Sequence, residues 1–188
     1  MVKEFKIKYS IIDIETTGGK FNQEKITEIA ILRINEDNKV DVLHRLINPV
    51  KKIQPFVEKL TRLNNKMLEN KPIFSDVAVQ IQDFTKNSIF VAHNANFDYR
   101  VLRKEFKSIG IEFSRKTLCT IKLSRKAFPL EKSYGLGKLT SRIGIKINNR
   151  HRAIGDAEAT LKLFNMIRKK LSENDIGEYI KEHQWKNY

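Results

Sequence analysis

Two carboxylates stand in a run of isoleucines, Ile11-Ile12-Asp13-Ile14-Glu15-Thr16-Thr17-Gly18-Gly19. Along a strand, alternate side chains share a face. Asp13 and Glu15 therefore point the same way, beside Ile11, with Cα atoms roughly 6–7 Å apart. Two like charges in a half-buried setting are costly unless a cation neutralises them. A third carboxylate, Asp98, lies in "HNANFDYRVLRKEF". Read as a helix, this segment steps Asp98, Leu102 and Phe106 by four onto one stripe, which turns Asp98 toward the core. So near a helix start, a carboxylate also complements the helix dipole. The fourth, Asp156, lies in "HRAIGDAEAT", where Ala153, Asp156, Ala157 and Thr160 follow the i, i+3, i+4, i+7 pattern. Small neighbours leave room beside that carboxylate. His151 falls five residues before Asp156, off this face, and reads as part of the preceding loop. Four oxygen donors from three elements suit Mg²⁺ or Mn²⁺ better than zinc. Clustered carboxylates can hold two such ions about 3.5–4 Å apart, an arrangement used for in-line attack on phosphodiesters.

The elements that must position these groups follow from pattern. "KIKYSIIDIET", "KITEIAILRIN" and "KVDVLHRLINP" read as three successive strands, the last two joined by a hairpin-like turn at "NEDNK". Pro49 and Pro55 break the chain before short helical pieces around residues 56–70. "SDVAVQIQDFTKN" reads as a helix capped by Ser75, with Val79 and Phe84 inward, and "SIFVA" as a short buried strand. Further helices are expected from about Ala95 to Ile109, over "TIKLSRKAF", over "SYGLGKLTSRIG" with Leu136, Leu139 and Ile143 on one face, from about Arg152 to Lys170, and after Ser172. Strands first, then strands alternating with helices, predict a mixed α/β sandwich.

The length of 188 residues favours a single domain over residues 1–188, with a core at about 8–170 and a C-terminal helix and tail at 171–188. The end "KEHQWKNY" reads as a tail or as a cut from a longer protein. A composition of 40% hydrophobic and 31% charged residues is globular. The formal net charge is +14, and residues 100–152 alone carry 15 Lys/Arg against 3 Asp/Glu. That excess predicts a polyanionic partner, with the basic segment as a nucleic-acid track. Cys119 is alone, which excludes an internal disulfide and favours a reducing compartment, the cytoplasm. The N-terminus "MVKEFKIKYS" has no apolar signal region, and no apolar run approaches the ~18 residues of a membrane span.

"DIETTG", "HNANFD" and "HRAIGDA", in this order and with "YGLGKLTSRIGI" between the last two, resemble the three exonuclease motifs of the DEDD superfamily, histidine subgroup. The nearest type is the bacterial polymerase III epsilon-like proofreading domain, including the exonuclease domain of polymerase C. The resemblance covers roughly residues 8–170. It implies a ribonuclease H-like fold, with about five strands in a mixed sheet, the first three antiparallel, flanked by helices. It implies 3′–5′ hydrolysis, mainly of single-stranded DNA, in proofreading or repair. Carried over by residue, Asp13, Glu15 and Asp156 would hold one divalent ion; Asp13 would also touch a second, with Asp98 acting there through water. His151 would be the general base, a task suited to a side chain whose ordinary pKa is near neutrality. Thr16, Thr17, Gly18, His93, Asn94 and Phe97 lie where the terminal nucleotide would bind. Partners would be a single-stranded 3′ end and, beyond it, a polymerase or a further domain of a longer protein. An RNA 3′-end trimmer on the same fold and a catalytically silent nucleic-acid-binding module are the alternatives. Contacts to the 2′-hydroxyl separate DNA from RNA, and the motifs do not contain them.

Overall fold

The structure, a computed structural model, describes residues 8–183. Lys6 and Ile7 of the expected first strand, and the last five residues of the expected tail, lie outside them. Among these residues five strands form one sheet in the order β3-β2-β1-β4-β5. They are β1 (Lys8–Thr16), β2 (Ile26–Ile34), β3 (Val40–Leu46), β4 (Ser88–Ala92) and β5 (Thr117–Cys119). The first three are antiparallel neighbours, as the hairpin-like spacing predicts, and β4 and β5 join parallel to β1. Between and after them run α1 (Pro55–Thr61), α2 (Asn65–Leu68), α3 (Phe74–Phe84), α4 (Ala95–Ser108), α5 (Thr120–Ala127), α6 (Leu136–Arg142), α7 (Ala153–Lys170) and α8 (Glu173–Gly177).

Strand alternation sorts the core into two layers. Tyr9, Ile11, Ala30, Leu32 and Ile34 face α5, α6 and α7, where Leu123, Leu139, Ala157, Leu163 and Phe164 cover them. Ile12, Ile14, Ile29 and Ile31 face α3 and α4, against Ile81, Leu102, Phe106 and Phe113. Burying side chains of this size contributes about 1.5–3 kcal/mol each before the entropy of ordering is subtracted. A smaller cluster of Ile53, Val57, Leu63 and Leu68 seats α1 and α2. Arg62 turns the chain between those two helices with a left-handed φ of 62°.

Two local expectations are corrected. Ser75 does not cap α3: Ile73 is the N-cap residue, and the Asp76 carboxylate accepts its amide at 3.0 Å. Val79 points to solvent, 59% exposed, while Phe74, Val77, Ala78 and Ile81 are buried. Those four follow i, i+3, i+4, i+7, a stripe that bypasses position 79. Phe84 is partly buried, as expected. The start of the expected tail is docked: Lys181 pairs with Thr117 of β5 through two backbone hydrogen bonds of 2.8 Å. His183 follows, its Nε2 at 2.7 Å from the Thr117 hydroxyl.

Candidate active site

The site grows out of a mismatch in strand length. β1 pairs with β4 from Lys8↔Ser88 to Ile11↔Val91 and then continues to Thr16 alone on that side. The backbone donors exposed there need partners. α4 starts just past the end of β4, and the Ile14 amide of β1 faces the Asp98 carboxylate and favours its charged form. Asp98 is thereby brought to the strand that carries Asp13 and Glu15. It is 5% exposed, on the buried stripe with Leu102 and Phe106 that its spacing predicts.

On the other face, α7 packs against β1 and β2 through Ala153, Ala157 and Thr160. The small residues let it approach closely, and Asp156 arrives beside the strand carboxylates. Ligand oxygens of Asp13, Glu15 and Asp156 all lie within 4.8 Å of one another. Asp98 stands outside that trio, yet after burial it is the largest charged influence on Asp13. Burial, with the repulsion of its neighbours, raises Asp13 well above the ordinary range of an aspartate. The same causes push Glu15 up to about 8. Burial pushes Asp98 up to about 7 and raises Asp156. The Oδ1 of Asp156 is buried with no hydrogen-bond partner among the described residues. An orphaned carboxylate oxygen among crowded, acid-shifted neighbours fits a hard divalent cation, whose charge would reverse these shifts.

His151 sits on the loop before α7, as expected, with a left-handed φ of 61°; Asn149, two residues earlier, has φ 53°. Its amide donates to Asp156 Oδ2 at 3.1 Å, which ties the loop to the carboxylate it precedes. Arg62 donates to the Arg150 carbonyl at 3.1 Å and holds the loop from the α1 side. Gly155 permits this geometry. A Cβ there would lie 2.0 Å from the Asn148 carbonyl oxygen and 2.6 Å from that of Asn149.

The remaining expected contact residues divide by what they touch. The hydroxyl of Thr16 accepts the Gly18 amide at 3.2 Å, and buried Thr17 is tied to Lys25 and Gln54 through its backbone. Gly18 has φ +68°, and a Cβ there would come within 2.7 Å of Val57, so α1 packs directly on the turn after β1. His93 is engaged at both ring nitrogens, by the Thr120 hydroxyl at 2.9 Å and the Tyr134 carbonyl at 2.8 Å. It joins the end of β4 to α5 and to the loop before α6. Asn94 is the left-handed N-cap residue of α4, and Phe97 packs partly buried with Arg100 over its ring. The sequence reading missed Glu28, Arg152 and Gly155. Glu28 carried a usable signal, because it interrupts the apolar run of β2 as Asp13 and Glu15 interrupt β1.

The RNase_T exonuclease profile matches residues 10–164. The chain is 38% identical over 156 residues to the 3′-5′ exonuclease DinG of Staphylococcus aureus, which spans 82% of this chain but 17% of that relative's length. Among solved structures it resembles Exonuclease X in complex with 5′ overhanging duplex DNA, at 26% identity and TM-score 0.70, covering 93% of this chain and 99% of the other. It has the same fold as E. coli Exonuclease I in complex with a dT13 oligonucleotide, at 18% identity and TM-score 0.77, covering 88% and 42% of the two chains.

Proposed function

The chain belongs to the RNase_T exonuclease family of the DEDD superfamily, and from that premise we propose that it removes nucleotides from the 3′ end of single-stranded DNA with two divalent ions and His151 as general base. The trio Asp13, Glu15 and Asp156, with its orphaned oxygen, is the observation that carries this reading. These three would hold one ion, and Asp13 with Asp98 a second, Mg²⁺ or Mn²⁺. The ions, when bound, supply charge stabilisation at the phosphate and a more acidic water.

The chain's own residues do the rest. His151 accepts the proton of the water whose oxygen bonds to phosphorus, while the bond from phosphorus to the 3′ oxygen breaks. A nucleoside 5′-monophosphate leaves, and the 3′ oxygen of the shortened strand takes a proton from solvent to become the new 3′-hydroxyl. The turn Thr16-Thr17-Gly18 would meet the last nucleotide next to Glu15 at its outer end, Gly18, with buried Thr17 holding it from beneath through Lys25 and Gln54. Phe97 and Asn94 border the same end of the sheet. His93 acts indirectly, by holding the loop before α6. DNA as substrate is favoured by the relatives named for exonucleases and solved with DNA. A polymerase-associated proofreading role extends the epsilon-like resemblance of the three motifs.

The test is a time course on a 5′-labelled single-stranded DNA oligomer and its RNA counterpart, with Mg²⁺, Mn²⁺ or EDTA. The expected result is an EDTA-sensitive ladder that shortens one nucleotide at a time, faster on DNA. Faster shortening of RNA would make the chain a 3′-end trimmer of RNA, and an oligomer bound but left intact would make it a binding module.

A further inference from the structure

Glu28 is the most fully partnered carboxylate near the site, and none of the hydrolytic steps uses it. It is 0% exposed. His44 Nε2 lies 2.7 Å from its Oε1, and Arg152 Nη2 donates to the same oxygen at 3.0 Å. Arg152 Nε donates to Oε2 at 2.8 Å, and so does the Ala153 amide at 3.2 Å. Glu28 also sits directly across from Glu15 in the β1–β2 pair. A carboxylate in the middle of the sheet thus grips the residue after His151 and the first residue of the helix that carries Asp156. A bidentate Arg–carboxylate pair fixes direction as well as distance.

The loop needs such an anchor. Asn149 and His151 both hold left-handed backbone conformations, which cost energy outside glycine and persist only where the surroundings over-determine them. Arg62 holds the Arg150 carbonyl on one side. On the other, Glu28 is the fixed point, because β2 is pinned between β1 and β3. We infer that Glu28 is a positioning residue of the hydrolytic site: through the Arg152 guanidinium and the Ala153 amide it fixes the loop that presents His151. The inference rests on the reading of His151 as the base. The hydrogen bonds of Glu28 go to His44, Arg152 and Ala153, so its removal is expected to act on turnover and to leave substrate binding in place.

The test compares the wild type with Glu28→Gln, which keeps the shape and loses the charge, and with Arg152→Gln, which opens the same link from the half-exposed side. Two readouts are taken. Amide hydrogen exchange, without metal or DNA, reports the loop directly. Steady-state hydrolysis of a single-stranded oligomer gives kcat and KM. Exchange over residues 149–156 is expected to quicken at least tenfold in both variants, with β1 and α4 unchanged. By analogy with partners that orient metal ligands, kcat is expected to fall about 10–100-fold, with KM within about twofold. The double variant should be no slower than the worse single one. Unchanged exchange in 149–156 overturns the inference, and so does an unchanged kcat or a loss confined to KM. If the wild type hydrolyses nothing, the exonuclease reading falls, and the exchange measurement still decides whether Glu28 holds the loop. If Glu28→Gln does not fold, Arg152→Gln carries the same measurements.

Discussion

At the scale of single residues, the crowding of carboxylates gives the metal-free protein a dependence on pH that runs against the usual one. Glu15 is pushed up to about 8 from 4.5, and Asp98 to about 7 from 3.8. Between those values the folded protein holds protons that the unfolded chain has released. Stability then falls as pH rises through the folded pKa values. Thermal melts in EDTA should therefore show a lower midpoint at pH 9 than at pH 5, and Glu15→Gln should flatten that slope. Added Mn²⁺ should raise the midpoint more at pH 8 than at pH 5, because only the deprotonated cluster binds it. A midpoint that rises with pH in EDTA would contradict a carboxylate cluster that holds protons in the folded state. For hydrolysis, Asp13→Ala should abolish turnover and weaken Mn²⁺ binding. His151→Ala should spare Mn²⁺ binding and slow turnover about 10²–10⁴-fold, the usual contribution of a general base, as measured in single-turnover assays. Asp13, Glu15, Asp98 and Asp156 were legible in the sequence because each sits where periodicity demands an apolar side chain. Glu28 satisfies the same criterion in β2. What the sequence does not carry is its partner: Arg152 lies 124 positions away and reads there as one more basic residue.

Among the elements, the strands were the most legible, because the apolar runs of β1, β2 and β4 are buried on both faces and read as continuous hydrophobic segments. β5 was not placed. It has three residues, too few for any period to show, and its position is fixed by pairing with β4. The start of α3 was misplaced because Ser75 is a good capping residue by type, whereas Asp76 supplies the contact from inside the first turn. The N-terminal end of α7 is the element on which the site depends most. Its approach to the preceding loop has no space for a Cβ at position 155. Gly155→Ala should displace the Asn148 and Asn149 carbonyls and with them His151. Although alanine favours helix by about 1 kcal/mol over glycine, the variant is expected to melt lower and to lose at least tenfold in turnover. An equal or higher melting midpoint with full activity would show that the loop yields without cost.

For the whole molecule, the excess of positive charge is only partly available to a ligand. Within the basic segment, Arg100, Lys116, Lys126, Arg142 and Arg152 are committed to Glu24, Glu182, Asp175, Glu131 and Glu28. Arg115 donates to the carbonyls of Gln82, Ser114 and Thr85. Charge counted along the sequence therefore overstates the phosphate track. The affinity for a single-stranded oligomer should still fall with salt, with a slope of about −0.7 per phosphate neutralised. Filter binding in Ca²⁺ from 50 to 200 mM salt is expected to give a slope well short of fifteen contacts. A flat titration would remove the electrostatic reading altogether. The docking of Lys181 on Thr117 has a further consequence, for how the protein behaves among its own copies. β5 is an outer strand of the sheet, and an outer strand with free amides and carbonyls is a template for a second chain. Here the protein's own backbone occupies that template at Thr117. Cutting the chain after Gly177 should uncover it, and the shortened protein should self-associate with rising concentration, as light scattering would record, while the sheet itself stays folded.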